Sequence, residues 1–429
     1  MKKRTYRRIS LKQVSVENVM EKLAGHRRLV FAVDVAKADM VAALADPAAE
    51  PKQRVLVTLS WKHPEDHRAL GELLVGLLEA GVELEAVMEP SGTYGDALCH
   101  QLQQIGIKVH RVNANRAFGA AEVYDGVASL HDAKAAHILA KLHLDGASRL
   151  WPRPSEQART MSAAIAMMDL YRGERQRELG RLEGLLARHW PELFSVMELG
   201  SATQLTLLST MGGPEQVLAH ADEAQQLLVT MSQGFIKPHK ARLIVEAAAR
   251  SVGVPLCQAE LQMLQALSAR ALWTLRALQQ AQRKVRALFS QTGSIQLAQA
   301  VGCTTAAVLV NDIGHPADFG SSRAYLKAFG LNLREKSSGK HKGQLKLTKR
   351  GPGRARQYLW LAALRFLLRD PIARAYYARK VQRDGGKKTR AVIALMRKLA
   401  TALYAIGKSG EPLDSRKLFD TARLGLASG

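Results

Sequence analysis

The hydrophobic pattern of this chain changes near residue 150. Before that point, short apolar runs rich in Val, Ala and Leu alternate with amphipathic segments. The run LVFAVDVAKADMVAAL predicts a strand, a turn and a second strand, and RVLVTLSW, LEAVM and KVHRVNA predict three further strands. HRALGELLVGLLEAG has apolar residues at helical spacing and ends at a glycine, as helices commonly do. Strands that alternate with helices indicate a layered α/β domain over residues 26–150.

From residue 151 onward the pattern is helical. In residues 151–291, LYRGERQRELGRLEGLLARHWPELF and LCQAELQMLQALSARALWTLRALQQAQRKVRALF place apolar residues three and four apart and predict two long helices. The two could pair within the chain or form a coiled coil across a dimer, and the pattern leaves both open. In residues 292–429, SIQLAQAVGCTTAAVLVNDIG predicts a helix–turn–helix-like pair around Gly302, and two more amphipathic helices follow. The expected fold class is therefore an α/β domain followed by an all-α region, with residues 1–25 as a basic, flexible arm.

The net charge of the chain indicates which kind of partner it binds. The chain has 429 residues, enough for two or three domains, and its 62 Lys and Arg against 38 Asp and Glu leave a net charge of +24. Such an excess predicts binding to nucleic-acid backbones, with an affinity that falls as salt rises. No apolar run approaches the roughly 20 residues of a membrane-spanning helix, and the basic N-terminus lacks the apolar segment of a secretory signal. We therefore expect a cytoplasmic, nucleoid-associated protein with no membrane partner.

Cysteine and histidine spacing gives no metal motif. The three cysteines are far apart, without any CxxC pair or Cys/His ligand spacing, which argues for a reducing cytoplasm and against a structural zinc site. Three histidines recur every six residues, a spacing that does not place them on one turn of a helix. We expect them to be solvated or to lie in the core, and they are His131, His137 and His143.

Acidic residues in apolar surroundings are the first candidates for chemistry. Asp34 lies inside an apolar strand, where an unpaired charge would cost several kcal/mol. Its partner is either a cation such as Lys37 or a divalent metal ion shared with other acids. Glu89 ends another apolar strand and would lie beside Asp34 if the two strands are neighbours. Asp125 and Asp132 flank the start of an Ala-rich helix, so that these carboxylates could bind one or two Mg²⁺ ions.

The segment LREKSSGKHKGQLKLTKRGPGRAR, residues 333–356, is strongly basic and carries two adjacent serines. One interpretation is an exposed loop that contacts phosphates through Lys, Arg and Ser. The other is that a serine attacks a phosphate held by its basic neighbours. The expected nucleic-acid contacts are Lys336, Lys340, Lys342, Lys346, Lys349, Arg350, Arg354 and Arg356.

These motifs together resemble the DEDD transposases of bacterial insertion sequences (insertion-sequence family 110) over nearly the whole chain. FAVDVAKADMVAAL, VMEPSGTYGDAL and HDAKAAHILAKL are similar to the family's RuvC-like, RNase H-type domain, with Asp34, Glu89 and Asp132 at the motif acids. FGLNLREKSSGKHKGQLKLTKRGPGRARQYLWLAALRFL is similar to its second transposase domain. The family places its third and fourth acids three apart, but here Ser129 stands three before Asp132, and Asp125 is the expected substitute. The turn that is commonly Pro-Gly-Ile-Gly in the family reads VGCTTAA here.

The resemblance implies a recombinase that moves its own element. In it, Asp34, Glu89, Asp125 and Asp132 would bind Mg²⁺. Ser338, which precedes Gly339 and fits the motif better than Ser337, would form a transient phosphoserine link to DNA. A structured non-coding RNA would choose donor and target, and the protein would act as a homo-oligomer, either a dimer or a tetramer.

Two alternatives remain open from the residues alone. One is a RuvC-like, metal-dependent junction nuclease in which water attacks and no covalent adduct forms. The other is a non-catalytic basic protein that only binds nucleic acid, although such a protein would gain nothing from an acid in an apolar strand near a phosphate.

Overall fold

The computed structural model describes residues 6–51, 53–90, 92–335, 343 and 345–420. These residues form two compact units, Met1–Pro154 and Ser155–Gly429, which we call the N-terminal and C-terminal units. The middle and last segments predicted above, residues 151–291 and 292–429, lie almost entirely within the second unit.

A mixed sheet forms the centre of the N-terminal unit. Its strands are β1 Ile9–Ser10, β2 Arg28–Asp34, β3 Asp39–Ala45, β4 Val55–Lys62, β5 Glu83–Met88, β6 Lys108–Arg111 and β7 Arg149–Leu150. The spatial order is β1-β4-β3-β2-β5-β6-β7. β2, β3 and β4 are antiparallel neighbours, whereas β5 lies parallel to β2 and β6 lies parallel to β5. The predicted strands of this domain are therefore confirmed, and β2 and β5 are direct neighbours.

Helices cover both faces of this sheet. They are α1 Val16–Leu23, α2 His67–Glu79, α3 Asp96–Gln104, α4 Ala114–Asp125 and α5 Asp132–Leu144. The first three share a hydrophobic core with one face, and α4 and α5 pack on the other. Small side chains allow α5 to approach the sheet closely, since Ala133 and Ala136 are fully buried against Val41 and Ala43. This close packing fixes the position of Asp132 at the start of α5.

The expectation of a flexible arm over residues 1–25 is wrong for the part that the structure describes. β1 pairs in parallel with β4, and α1 buries Val19 and Leu23 in the core. Ser15 caps α1 by accepting a hydrogen bond from the backbone N–H of Asn18 at 3.3 Å. The apolar residues of this segment recur at helical spacing, a signal that its conspicuous basic charge obscured.

The C-terminal unit is almost entirely helical. Its first helices are α6 Glu156–His189, α7 Leu193–Val196, α8 Ala202–Thr210, α9 Pro214–Ala219, α10 Ala221–Met231, α11 Pro238–Ala249 and α12 Gln258–Ser290. After these come α13 Ile295–Val301, α14 Cys303–Ile313, a 3₁₀ turn Pro316–Asp318, α15 Ser322–Ala328, strands β8 Leu333–Arg334 and β9 Lys346–Leu347, α16 Gly353–Arg369, α17 Pro371–Arg383, α18 Lys388–Ser409 and α19 Ser415–Leu418. The predicted helical region is confirmed, and α17 is an additional helix.

The two long helices α6 and α12 pack along each other within one chain. The intramolecular pairing is thus observed, while a coiled coil across a dimer stays a prediction. The predicted helix–turn–helix-like pair is confirmed as α13 and α14, joined at Gly302 with a φ of 87°. Its positive φ suits glycine, because a Cβ is strained in that region.

In the described part of the chain, no single helix combines the length and the apolar character needed to cross a membrane. By length and composition alone, one bent pair, Ile295–Val301 with Cys303–Asp318, meets that requirement when its two members are taken together.

Candidate active site

Two acids lie at the ends of neighbouring parallel strands, at the same edge of the sheet. Val33 of β2 pairs with Met88 of β5, and each is followed directly by an acid, Asp34 and Glu89. Val33 and Met88 are fully buried, so the acids lie at the point where the hydrophobic interior ends. Both carboxylates are only partly exposed. The sequence left open whether the strands that carry these two acids are neighbours, and the structure confirms that they are.

Asp132 approaches these acids from the helix above the sheet. It is the first residue of α5, which packs on β2 and β3, and the side chain of His131 caps the helix by accepting from the Lys134 N–H at 3.3 Å. The Asp132 side chain is 58% exposed, and its Oδ2 lies 3.3 Å from Nη1 of Arg8. Arg8 comes from the segment expected to be a free arm, and sequence reasoning did not connect it with the site.

The charges of Asp132 and Glu89 both act on the carboxyl group of Asp34. Burial, followed by the charges of Asp132 and Glu89, raises the pKa of Asp34 to about 6, while the charge of Arg8 acts in the opposite direction. Burial also raises the pKa of Glu89. In the described part of the chain no ion pair joins Asp34 to Lys37, the alternative partner, which is exposed. A hard divalent cation fits this arrangement, since its positive charge would offset the burial of the Asp34 and Glu89 carboxylates and the repulsion that Asp132 and Glu89 exert on Asp34.

Asp125, the expected substitute acid, lies in a different network. Its Oδ1 accepts hydrogen bonds from Lys134 Nζ at 2.7 Å and from the Val127 N–H at 3.0 Å, and its Oδ2 accepts from the Tyr6 hydroxyl at 2.9 Å. Lys134 is 1% exposed and also donates to the carbonyls of Val127 and Ser129. The hydrogen bond from Lys134 leads the contacts that hold the pKa of Asp125 below its usual value. This network shapes the turn before Asp132, and the place of Asp125 among metal ligands stays a prediction.

We expect Asp125→Asn to act mainly on stability. The substitution leaves the buried Lys134 ammonium without its counter-ion, which should lower the unfolding free energy by about 1 to 3 kcal/mol. Hydrogen exchange of residues 125–134 in the full-length protein would measure the loss. Asp145→Asn is a matched control, since its pair with Lys141 is about half exposed and should contribute under about 1 kcal/mol. Unchanged stability together with lost DNA cleavage would instead identify Asp125 as a metal ligand.

The basic segment of the C-terminal unit is anchored by β8 and β9. These strands pair antiparallel through Arg334 and Lys346, and the predicted nucleophile Ser338 and its neighbour Ser337 lie outside the described residues. The backbone segments at Gly330 and Gly351 lie so close to each other that a Cβ on Gly351 would be 2.3 Å from the backbone oxygen of Ala328. Of the predicted nucleic-acid contacts that the structure describes, three are exposed: Lys346, Lys349 and Arg350.

The two arginines at the end of that segment have partners within the protein. Arg354 Nε donates to Asp312 Oδ2 at 2.8 Å, and its Nη1 donates to Asp169 Oδ2 at 3.1 Å. Arg356 Nη1 donates to the carbonyls of Phe329 at 3.1 Å and Gly351 at 2.7 Å. These guanidinium groups fix the base of the basic segment, and their predicted contacts with nucleic acid remain untested.

The sheet order and the position of the acids define a class. Three antiparallel strands followed by parallel ones, with carboxylates at the ends of the two central strands and at the start of the helix packed across them, form an RNase H-like domain whose acids suit a divalent metal. Enzymes with such sites use the metal to act on phosphodiesters.

Comparison with known families identifies the chain further. A family model for DEDD transposases of the IS110 type, described as "Transposase", matches residues 31–191. A second, described as "Transposase IS116/IS110/IS902 family", matches residues 295–378. The chain belongs to the IS110 family of DEDD transposases and is a DNA-binding transposase. The alternative of a non-catalytic binding protein is therefore not retained. A comparison with curated proteins gives no match.

Proposed function

We propose that this transposase cuts and rejoins DNA by Mg²⁺-dependent transesterification through a phosphoserine at Ser338. The observation that carries the proposal is geometric: Asp34 and Glu89 follow the paired, buried residues Val33 and Met88 of β2 and β5, and Asp132 begins the helix that packs on β2 and β3. One or two Mg²⁺ ions at these carboxylates would supply the positive charge that stabilises a phosphate transition state. All three ligands offer oxygen, the donor that Mg²⁺ prefers.

The proposed covalent step conserves the phosphodiester bond. The Ser338 oxygen attacks the phosphorus and forms a P–O bond as the bond from phosphorus to one DNA oxygen breaks. The serine proton leaves to solvent or a neighbouring base, and the departing DNA oxygen becomes a hydroxyl. In the reverse sense, a hydroxyl of the exchanged strand attacks the phosphoserine and releases the serine. Because each step replaces one phosphate ester by another, strand exchange needs no external energy source.

Charge supports the rest of the proposal. The net charge of +24 and the exposed Lys346, Lys349 and Arg350 suit contacts with phosphates. Lys336, Lys340 and Lys342 belong to the same proposed surface but lie outside the described residues. We also propose that a structured non-coding RNA selects the DNA by base pairing while the protein binds backbone and shape, and that the protein acts as a homo-oligomer.

The test is covalent capture of DNA. Full-length protein is incubated with Mg²⁺, its co-purifying RNA and DNA spanning the element junction, and denatured to reveal attached DNA. We expect an adduct with the wild type and none with Ser338→Ala or without Mg²⁺. Ser337→Ala is the matched control and should retain the adduct, and peptide mapping of the nuclease-trimmed adduct locates the linked residue. Cleavage that persists in Ser338→Ala without any adduct would establish the junction nuclease instead.

A further inference from the structure

A second cluster of metal-ligating side chains lies in the N-terminal unit. Glu85 of β5, His110 of β6 and His143 of α5 each offer one ligand atom, and these atoms all lie within 4.8 Å of one another. His143 Nε2 is 3.1 Å from Glu85 Oε2, and the two imidazole rings have centroids 4.7 Å apart. All three residues are partly buried, so that an ion there would be shielded from bulk water and still reachable.

The fold builds this cluster apart from the carboxylate site. Val87 pairs with His110 across β5 and β6, and Glu85 lies two residues before Val87 on the same face of its strand. α5 crosses this face and brings His143 to it, about three helical turns beyond Asp132. The two sites therefore lie near opposite ends of the same helix. Spacing of histidines within α5 did not reveal the cluster, because its other two members come from strands.

Contacts with neighbouring side chains orient the ligand atoms of this cluster. His143 Nδ1 is 2.8 Å from the Ser148 hydroxyl oxygen, and Arg28 Nη2 is 3.3 Å from Glu85 Oε1, the oxygen that does not face His143. In the tautomer that donates its Nδ1 proton to Ser148, the Nε2 lone pair of His143 faces a carboxylate oxygen of Glu85, so a cation between the two atoms is their shared partner. A bound cation resolves this arrangement and leaves Ser148 and Arg28 as the outer contacts that orient the ligands.

A further observation points to a cation. The Nδ1 atom of His110 is buried and has no hydrogen-bond partner in the described part of the chain, an uncommon condition for a buried polar atom.

We propose that Glu85, His110 and His143 bind a divalent late-transition ion of the Zn²⁺ class, in a site separate from the Asp34 carboxylates. Two imidazoles with one carboxylate are a donor set that suits Zn²⁺, whereas Mg²⁺ takes oxygen ligands. The ion ties β5 and β6 to the end of α5. Because the other end of α5 carries Asp132, this link holds the helix in register with the sheet.

The test uses chelator-stripped, full-length protein titrated with Zn²⁺ in the presence of excess Mg²⁺. Bound zinc per chain is measured by elemental analysis, and Co²⁺ substitution is followed by its visible absorption. We expect one tightly bound zinc per chain in the wild type, its loss in His110→Ala and His143→Ala, and an affinity about 10- to 100-fold weaker in Ser148→Ala. Zinc should also raise the melting temperature of the wild type but not of His110→Ala.

Two control variants distinguish this site from the carboxylate site and from zinc bound at surface histidines. His100→Ala changes an exposed histidine on α3, and Asp34→Asn changes the carboxylate site, so both should retain the bound zinc. Melting curves of the metal-free variants reveal any that fail to fold, and Ser148→Ala keeps all three ligands. Absence of tight zinc binding in the wild type, or zinc that persists in both histidine variants, would overturn the proposal. Zinc lost in Asp34→Asn would also overturn it, by locating the ion at the carboxylates.

Discussion

Asp34→Asn is expected to abolish Mg²⁺-dependent DNA cleavage while it stabilises the metal-free protein. A metal site supplies several kcal/mol of transition-state stabilisation, so losing a central ligand should slow cleavage about 10³-fold. The same carboxylate is held unfavourably in the absence of metal, because it is partly buried and faces Asp132 and Glu89. An amide of the same shape removes that repulsion.

The stabilisation should depend on pH in a defined direction. The pKa of Asp34 is raised from 3.8 to about 6, so the folded state binds its proton more tightly than the unfolded state does. The penalty is absent below pH 3.8, grows as pH rises toward 6, and is complete above that. At neutral pH it amounts to at most about 3 kcal/mol, from 1.36 kcal/mol per pKa unit.

Thermal unfolding of chelator-treated protein between pH 4 and pH 8 measures this effect. The melting temperature of Asp34→Asn should exceed that of the wild type at pH 8, and the two should converge near pH 4. Asp39→Asn is a suitable control, since Asp39 is an exposed acid in the same sheet and should alter neither stability nor cleavage. A variant that is less stable than the wild type at pH 8, or that cleaves normally, would contradict the assignment of Asp34.

Sequence patterns predicted the central strands because a sheet buried on both faces has continuous apolar runs, as in β2 and β3. Asp34 and Glu89 were recognisable as the acids that interrupt or end those runs. The network of Asp125 was not recognisable, because its partner Lys134 occupies a position where a lysine is ordinarily solvated. Only the fold shows that Lys134 is buried and that Tyr6 reaches the same carboxylate.

The sequence alone also cannot distinguish the roles of the arginines in the basic segment. Composition marks every lysine and arginine in residues 333–356 as a potential phosphate contact. It cannot show that Arg354 meets acids from α6 and α14, since Asp169 and Asp312 are distant in sequence. Arg350, four residues earlier, is exposed. Two arginines that look alike in the sequence therefore have different expected roles.

Arg354→Ala is expected to destabilise the C-terminal unit by about 3 to 5 kcal/mol, because it removes one partner of an ion pair and leaves the other buried. Asp312, whose side chain is 5% exposed, would lose both guanidinium contacts, and Asp169 would lose one. Hydrogen bonding with Asp312 is the main cause that raises the pKa of Arg354 above its ordinary value, so the guanidinium stays charged. Arg354→Lys should recover only part of the loss, since an ammonium cannot reproduce the two-point contact with a carboxylate.

Arg350→Ala is the matched control for Arg354→Ala, because Arg350 is exposed. Hydrogen exchange of α14 and α16 in the full-length protein should show a large loss of protection in Arg354→Ala and none in Arg350→Ala. DNA binding measured across a salt series should show the reverse, with Arg350→Ala lowering the salt slope by about one and weakening binding to all sequences alike. Arg354→Ala should bind DNA with an unchanged slope at a temperature where it remains folded. If it kept its stability and lost one unit of slope, Arg354 would be a phosphate contact and its ion pairs with Asp312 and Asp169 would be dispensable.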